Sequence, residues 1–380
     1  MRILQLHARY RVTAGEDSVV DNEAAAMERA GHDVHQFVVE NPSDRIAAVK
    51  ALARSLGNST MSARVAQTVA EFRPHVVHVH NTWFALSWQA AIAPSASGVP
   101  VVVTVHNYRL GCIGSDLFRD DRICTACVGH SPLAGVRHGC YRGSRVQSAL
   151  LAAEISVTRR RALLDRVDRF VAPSAFMADR LVDIGVPADR LVITPHFVAD
   201  PGPRPIAPSA TDEIVYVGRL APGKGIDTLM QAWSTRRPSA SRLTVIGDGP
   251  LADQVRRTPG VEFIGWRSHD DVTRRLLGAR ALVMPSEWYE PFGMVLIEAM
   301  SCGLPVIATT AAGARDIVHA PHPLLVPPHD PERLAAALSA LDDRTVDDVG
   351  AINRARFESQ FSEPVGVARL ESLYRSVGAP

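Results

Sequence analysis

A chain of 380 residues with 46% hydrophobic and 21% charged side chains exceeds one ordinary core yet keeps a soluble surface, which excludes wholesale disorder and predicts two domains. A net charge of +1 gives no global reason to expect nucleic acid, and five cysteines make no disulfide scaffold. No stretch reads as a signal peptide or membrane span, so the expected location is cytoplasmic.

Short β-branched runs alternate with longer amphipathic segments, the pattern of βαβ units and a parallel sheet. The first series of predicted strands is 3–6, 34–39, 76–80, 101–105, 170–172 and 191–194. Residues 199–211, ADPGPRPIAPSAT, are dense in Pro, Ala and Gly and read as a linker. The second series is 214–217, 243–246, 261–264, 281–284, 306–308 and 324–326, followed by a mainly helical tail from Glu332 to Val377. The expected division is therefore a domain over 1–198, the linker, and a domain over 212–361. A helix over about 362–380 is expected to pack back on the first domain. In open parallel sheets ligands sit beyond the carboxyl ends of strands, which directs attention to the loops that follow them.

The densest such loop is Pro285 to Thr309, PSEWYEPFGMVLIEAMSCGLPVIAT. A strand ends near Pro285, the loop carries Glu290, Gly293 lets backbone amides approach a ligand, and a helix runs through Glu298. Its N-terminus offers N–H groups and partial positive charge suited to a diphosphate or to sugar oxygens. Over a helical path Glu290 and Glu298 would be roughly 12 Å apart at 1.5 Å per residue. That is too far for a cooperating pair of the glycosidase kind, whose carboxyl groups sit about 5 Å apart in retaining enzymes, and suggests service to different parts of one extended ligand. A second loop, Val217 to Lys224, VGRLAPGK, leaves a strand at Gly218 and supplies Arg219 and Lys224, a planar fork and a point charge for phosphate.

The run from Glu290 to Val306 resembles the E-x7-E signature of family 4 glycosyltransferases, retaining enzymes with the GT-B fold, and the resemblance extends over nearly the whole chain. It implies two Rossmann-like α/β domains with parallel sheets facing across a cleft, the first binding acceptor and the second a nucleotide sugar. By the same resemblance Glu290 contacts the transferred sugar and Glu298 the donor ribose. Backbone amides around Phe292, Gly293 and Met294 hold sugar hydroxyls, Pro291 belongs to the same donor-binding loop, and Arg219 and Lys224 face the pyrophosphate. His106, ending the strand P-V-V-V-T-V, takes the family's histidine role near the reaction centre. His80 and Tyr108 are expected on the acceptor side. Gly15 opens a helix in the first βα connection, where the family has a glycine pair and this chain has Ala14 and Gly15. Gly247, Gly265, Trp266 and Arg267 follow strands of the second domain and are expected around the base. The family's P-N-G segment appears here as Pro195, His196 and Phe197, a departure.

Cys112, Cys124, Cys127 and Cys140 fall in one long insertion after His106. Cys124 and Cys127 have chelating spacing, so a structural zinc, free thiols and redox-sensitive pairs all stay open. The stretches 45–64 and 137–169, with Arg159, Arg160 and Arg161, are basic and suit either a solvated face or contact with an anionic membrane.

The expected activity is retaining transfer of a hexose or N-acetylhexosamine from a nucleotide diphosphate sugar to the hydroxyl of a glycan, lipid-linked sugar or small aglycone. No cofactor is required for catalysis, since protein cations can stabilise the leaving diphosphate and no D-x-D motif for a divalent ion occurs. A nucleotide-sugar epimerase or a non-catalytic sugar-nucleotide sensor is the alternative on the same fold.

Overall fold

The computed structural model describes residues 1–10, 15–42, 57–160, 163–237, 240–311, 313–318 and 324–380. The chain forms two compact units. One contains residues 1–117, 124–195 and 366–380, and the other contains residues 118–123 and 196–365.

The first unit is built on a six-stranded sheet of β1 (Arg2–Arg9), β2 (Asp33–Glu40), β3 (Val76–Asn81), β4 (Val101–Thr104), β7 (Arg169–Ala172) and β8 (Leu191–Ile193). Every pairing is parallel and the order is β2-β1-β3-β4-β7-β8, so the winding reverses between β1 and β3. Central strands of a covered parallel sheet are normally continuous apolar runs. β4 obeys with Val-Val-Val-Thr, whereas β3, also buried along all six residues, carries His78, His80 and Asn81. That local violation of the pattern marks a place where function competes with packing. The Glu363–Ser376 helix contributes Tyr374, fully buried in this unit.

The second unit has β9 (Glu213–Val217), β10 (Arg242–Ile246), β11 (Val261–Gly265), β12 (Ala281–Met284), β13 (Val306–Thr309) and β14 (Leu325–Val326), all parallel, in the order β11-β10-β9-β12-β13-β14. In its own numbering this is 3-2-1-4-5-6, the doubly wound order of dinucleotide-binding folds, with its switch point between β9 and β12. Side-chain alternation divides the core: Ile214 and Tyr216 pack in one buried cluster and Val215 in the other. Asp330 and Asp342 start two of the tail helices by accepting from the amides of Arg333 at 2.9 Å and Thr345 at 2.7 Å.

Each of the twelve predicted strands is present, with ends shifted by a few residues at most. The hairpin of β5 (Phe118–Arg119) and β6 (Arg122–Ile123) was not predicted. Its strands are too short to display a period, and its turn uses Asp120 and Asp121 at φ 53° and 56° in place of the usual glycine.

Candidate functional site

At the switch point of the second unit the loops leaving β9 and β12 are bonded together. The amides of Glu287 and Trp288 donate to the Gly223 carbonyl at 2.8 and 3.2 Å. Gly225, at φ 72°, opens the Ile226–Thr235 helix so close to β12 that a Cβ would lie 1.8 Å from the Pro285 carbonyl oxygen, which only glycine permits.

This junction sets Lys224 against Glu290. The ammonium donates to Oε2 at 2.7 Å, the Trp288 indole N–H donates to the same oxygen at 2.8 Å, and the Ser286 hydroxyl lies 3.3 Å from it. Lys224 Nζ also sits 4.5 Å from the centre of the Trp288 ring. Glu290 is 9% exposed, so three donors pin a nearly buried carboxylate and leave a lysine charge beside it. The sequence placed Lys224 and Glu290 at separate parts of a ligand; the fold makes them one ion-paired group. Trp288 and Ser286 escaped the reading of the sequence, although both lie in the motif, because their role depends on where the loop turns.

Beyond this group Gly293, at φ 99°, caps the Met294–Ser301 helix. The helix begins after Glu290, so the all-helical 12 Å separation expected for the two carboxylates does not apply. Glu298 lies on this helix, 3.9 Å from the His269 imidazole, and burial raises its pKa while His269 opposes the rise. Phe292 is a core side chain, edge-on to His196 at 5.1 Å and Phe361 at 6.1 Å, so neither its ring nor the buried Pro291 is exposed to a ligand. Met294 is half-buried. His196, standing where the family has asparagine, is buried and its pKa is pushed down to about 4 by that burial.

Arg219 is exposed, its carbonyl fixed by the Tyr216 hydroxyl at 3.1 Å. The amides of Gly218 and Gly247 donate to Ile246 and Gly265 carbonyls at 3.0 Å, so these two glycines shape the loops rather than offer N–H groups. Trp266, 71% exposed, projects after β11 beside exposed Arg267, which donates to the Trp266 carbonyl at 2.8 Å.

In the first unit β3 and β4 deliver His80 and His106 to one cavity, lined also by Trp83, Trp88, Arg109 and Glu154. His80 Nδ1 and His106 Nε2 are 3.2 Å apart. Tyr108 does not join them: it is wholly buried, and the expectation that it faces an acceptor is corrected. Gly15 heads the Gly15–Arg29 helix with open space where a Cβ would stand, so no contact among the described residues demands glycine there. From the same helix Glu16 receives the Asn107 amide at 3.4 Å, and burial pushes its pKa up to about 8 against the opposing pull of Arg109.

Of the four insertion cysteines, Cys127 is buried and Cys112, Cys124 and Cys140 are half-buried. Among the described residues one group of three metal-ligating side chains has its ligand atoms within 4.8 Å of one another, and it is Glu23, His78 and His80. No cysteine belongs to that group. Arg159 points inward, bonding the carbonyls of His130, Leu110 and Ile184 at 3.1, 3.4 and 3.2 Å, so it is not part of a membrane-facing basic surface. The basic stretch over 45–56, Arg161 and the Arg160 side chain lie outside the described residues. Among those described, no helix is long and apolar enough to cross a membrane.

Comparison with known proteins agrees with this geometry. Residues 14–196 match the glycosyl transferase 4-like domain and residues 211–343 match the glycosyl transferases group 1 domain. The chain is 26% identical over 336 residues to glycogen synthase of Mycobacterium tuberculosis, covering 84% of this chain and 72% of that protein. It is 27% identical over 298 residues to alpha-D-kanosaminyltransferase of Streptomyces kanamyceticus, covering 74% and 72%. Among solved structures, HepE of Anabaena in complex with UDP-glucose superposes with a TM-score of 0.68 over 99% of this chain and all of that one, at 19% identity, which speaks to the fold. With both matched domains in order and both sheets wound as described, the chain belongs to the group 1, family 4-like glycosyltransferases of GT-B fold.

Proposed function

We propose that the protein is a retaining glycosyltransferase that takes a hexose or N-acetylhexosamine from a nucleotide diphosphate sugar and gives it to an acceptor hydroxyl. The observation that carries this reading is the Lys224, Trp288 and Glu290 group at the switch point, followed at once by the Gly293-capped helix with Glu298. A diphosphate needs cations and helix-end amides, and a ribose needs an acceptor of hydrogen bonds; this loop has each in order.

In this reading Lys224 and Arg219 stabilise charge on the departing diphosphate. Glu290, held by its three donors, positions the sugar without forming a covalent bond, and Glu298 takes the ribose hydroxyls. The resemblance assigns His106 a contact with the transferred sugar. The acceptor hydroxyl enters from the leaving-group side and passes its proton to a donor phosphate oxygen, so the anomeric configuration is kept. The UDP-glucose bound by HepE supports a nucleotide sugar donor, and the kanosaminyl transfer named for the Streptomyces relative supports glycosyl transfer.

The test is a panel of nucleotide sugars screened for thermal stabilisation, then transfer from the best donor into candidate acceptor extracts, with the product's anomeric configuration read by NMR. An α-linked donor giving an α-linked product is expected. An inverted linkage refutes retention, and isomerised donor without acceptor points to an epimerase.

A further inference from the structure

His106 does not stand alone. Its Nε2 lies 3.2 Å from His80 Nδ1, and the other nitrogen of His80 lies 3.6 Å from Glu23 Oε2, a charge-pairing distance rather than a hydrogen bond. Glu23 sits on the Gly15–Arg29 helix and both it and His80 are buried, 5% exposed each. His78 closes the group: its Nδ1 is 2.8 Å from the Tyr374 hydroxyl and 3.8 Å from Glu23, and its Nε2 is 2.7 Å from the Thr104 hydroxyl. With both ring nitrogens already in short hydrogen bonds, His78 serves as a wall for Glu23 and is poorly disposed to ligate an ion.

We propose that Glu23 and His80 are positioning residues that decide which ring nitrogen of His106 carries its proton. This rests on the reading of His106 as the residue that meets the transferred sugar. One hydrogen occupies the gap between His80 Nδ1 and His106 Nε2. When Glu23 is ionised, its charge draws the His80 proton to Nε2; His80 Nδ1 then accepts from His106 Nε2–H, and His106 Nδ1 is left as an acceptor. When Glu23 is protonated, His80 keeps its proton on Nδ1 and donates to His106 Nε2, and His106 Nδ1 carries the hydrogen. Each ring holds one proton in both states. The difference is a single proton exchanged with solvent, and both imidazoles change tautomer together.

Burial raises the Glu23 pKa to about 8, so at neutral pH the relay rests with His106 Nδ1 as a donor, suited to a sugar oxygen. The buried or cavity-lining ionisable groups around it include the fully buried His7 and Asp17 pair at 2.7 Å, Glu16, Tyr10, Arg109, Glu154 and Tyr374, while Asp21, Glu28, Arg29, Arg369, Glu371 and Arg375 lie further along the two helices. Burial alone accounts for the rise at Glu23.

The test is two-bond proton–nitrogen correlation of the histidine rings in the full-length protein from pH 6 to 9.5, with His106 identified by its loss in His106→Gln. The expected result is an exchange of His106 from the Nδ1–H to the Nε2–H form near pH 8, absent in Glu23→Gln. His80→Asn, which interrupts the relay while keeping the Glu23 carboxyl, also abolishes the exchange and guards against a fold defect in the first variant. A wild-type His106 tautomer constant across this range overturns the proposal. So does an exchange that persists in either variant, or stoichiometric metal lost in Glu23→Gln. None of these readouts needs a sugar donor, so their failure is separable from failure of the proposed activity.

Discussion

At the residue scale, the Lys224 and Glu290 pair carries most of the weight. Lys224→Ala removes the cation proposed to face the leaving group and the partner of a nearly buried carboxylate. Turnover should fall by about 100-fold, the cost of deleting one preorganised stabilising group. Stability should fall by about 1–3 kcal/mol, since Glu290 keeps only the Trp288 and Ser286 donors. Steady-state transfer and thermal unfolding check the two effects. Glu298→Ala should behave differently, raising the donor KM about 5- to 30-fold with little change in kcat, because the ribose contact proposed for it is the same in ground and transition states. Equal losses in kcat and kcat/KM would place Glu298 at the reacting centre instead.

Glu23 also makes a stability prediction. Its folded pKa of about 8 stands above the ordinary carboxyl value of 4.5, so the neutral form is the one the fold favours. Its contribution is complete below about pH 4.5 and is lost as pH rises through 8. Thermal unfolding of wild type should therefore weaken between pH 5 and 9 more than that of Glu23→Gln. Parallel pH profiles would show that this carboxyl is not desolvated.

At the element scale, the site depends on β9 and β12 being neighbours and on their loops crossing closely. Gly225→Ala drives a methyl into the Pro285 carbonyl, 1.8 Å from the Cβ position, and imposes φ 72° on a residue that resists it. At least about 2 kcal/mol of destabilisation is expected, with loss of donor binding, measured by denaturant unfolding and nucleotide titration. The strands were legible in the sequence because most are short apolar, β-branched runs, buried throughout in the central strands β3, β4, β12 and β13. The loops were less so. Glu290, Lys224 and Glu298 declared themselves by residue type and position after strands, but their pairing did not, because it depends on the turn through Ser286 and Trp288. Tyr108 misled for a related reason: its place next to His106 in sequence says nothing about its side chain, which turns into the core. Glu23 and His78 were missed because helix and strand histidines or carboxylates usually solvate or pack, and only the fold shows them facing each other.

At the scale of the whole molecule, two sheets of the same parallel construction carry different chemistry. In each unit the polar groups gather beyond the carboxyl ends of neighbouring strands: His80 and His106 at β3 and β4 in one, and Lys224 and Glu290 in the loops after β9 and β12 in the other. The cysteine insertion shows what spacing leaves open: Cys124 and Cys127 have a chelating interval, yet among the described residues the three ligating side chains found together are Glu23, His78 and His80. Calorimetric titration of wild type, Lys224→Ala and Glu298→Ala with UDP- and GDP-sugars tests the central claim most directly. Saturable binding of a sugar nucleotide, weakened at least fivefold in each variant, is the result this account predicts; equal affinity in all three proteins, or no binding of any sugar nucleotide, would contradict it.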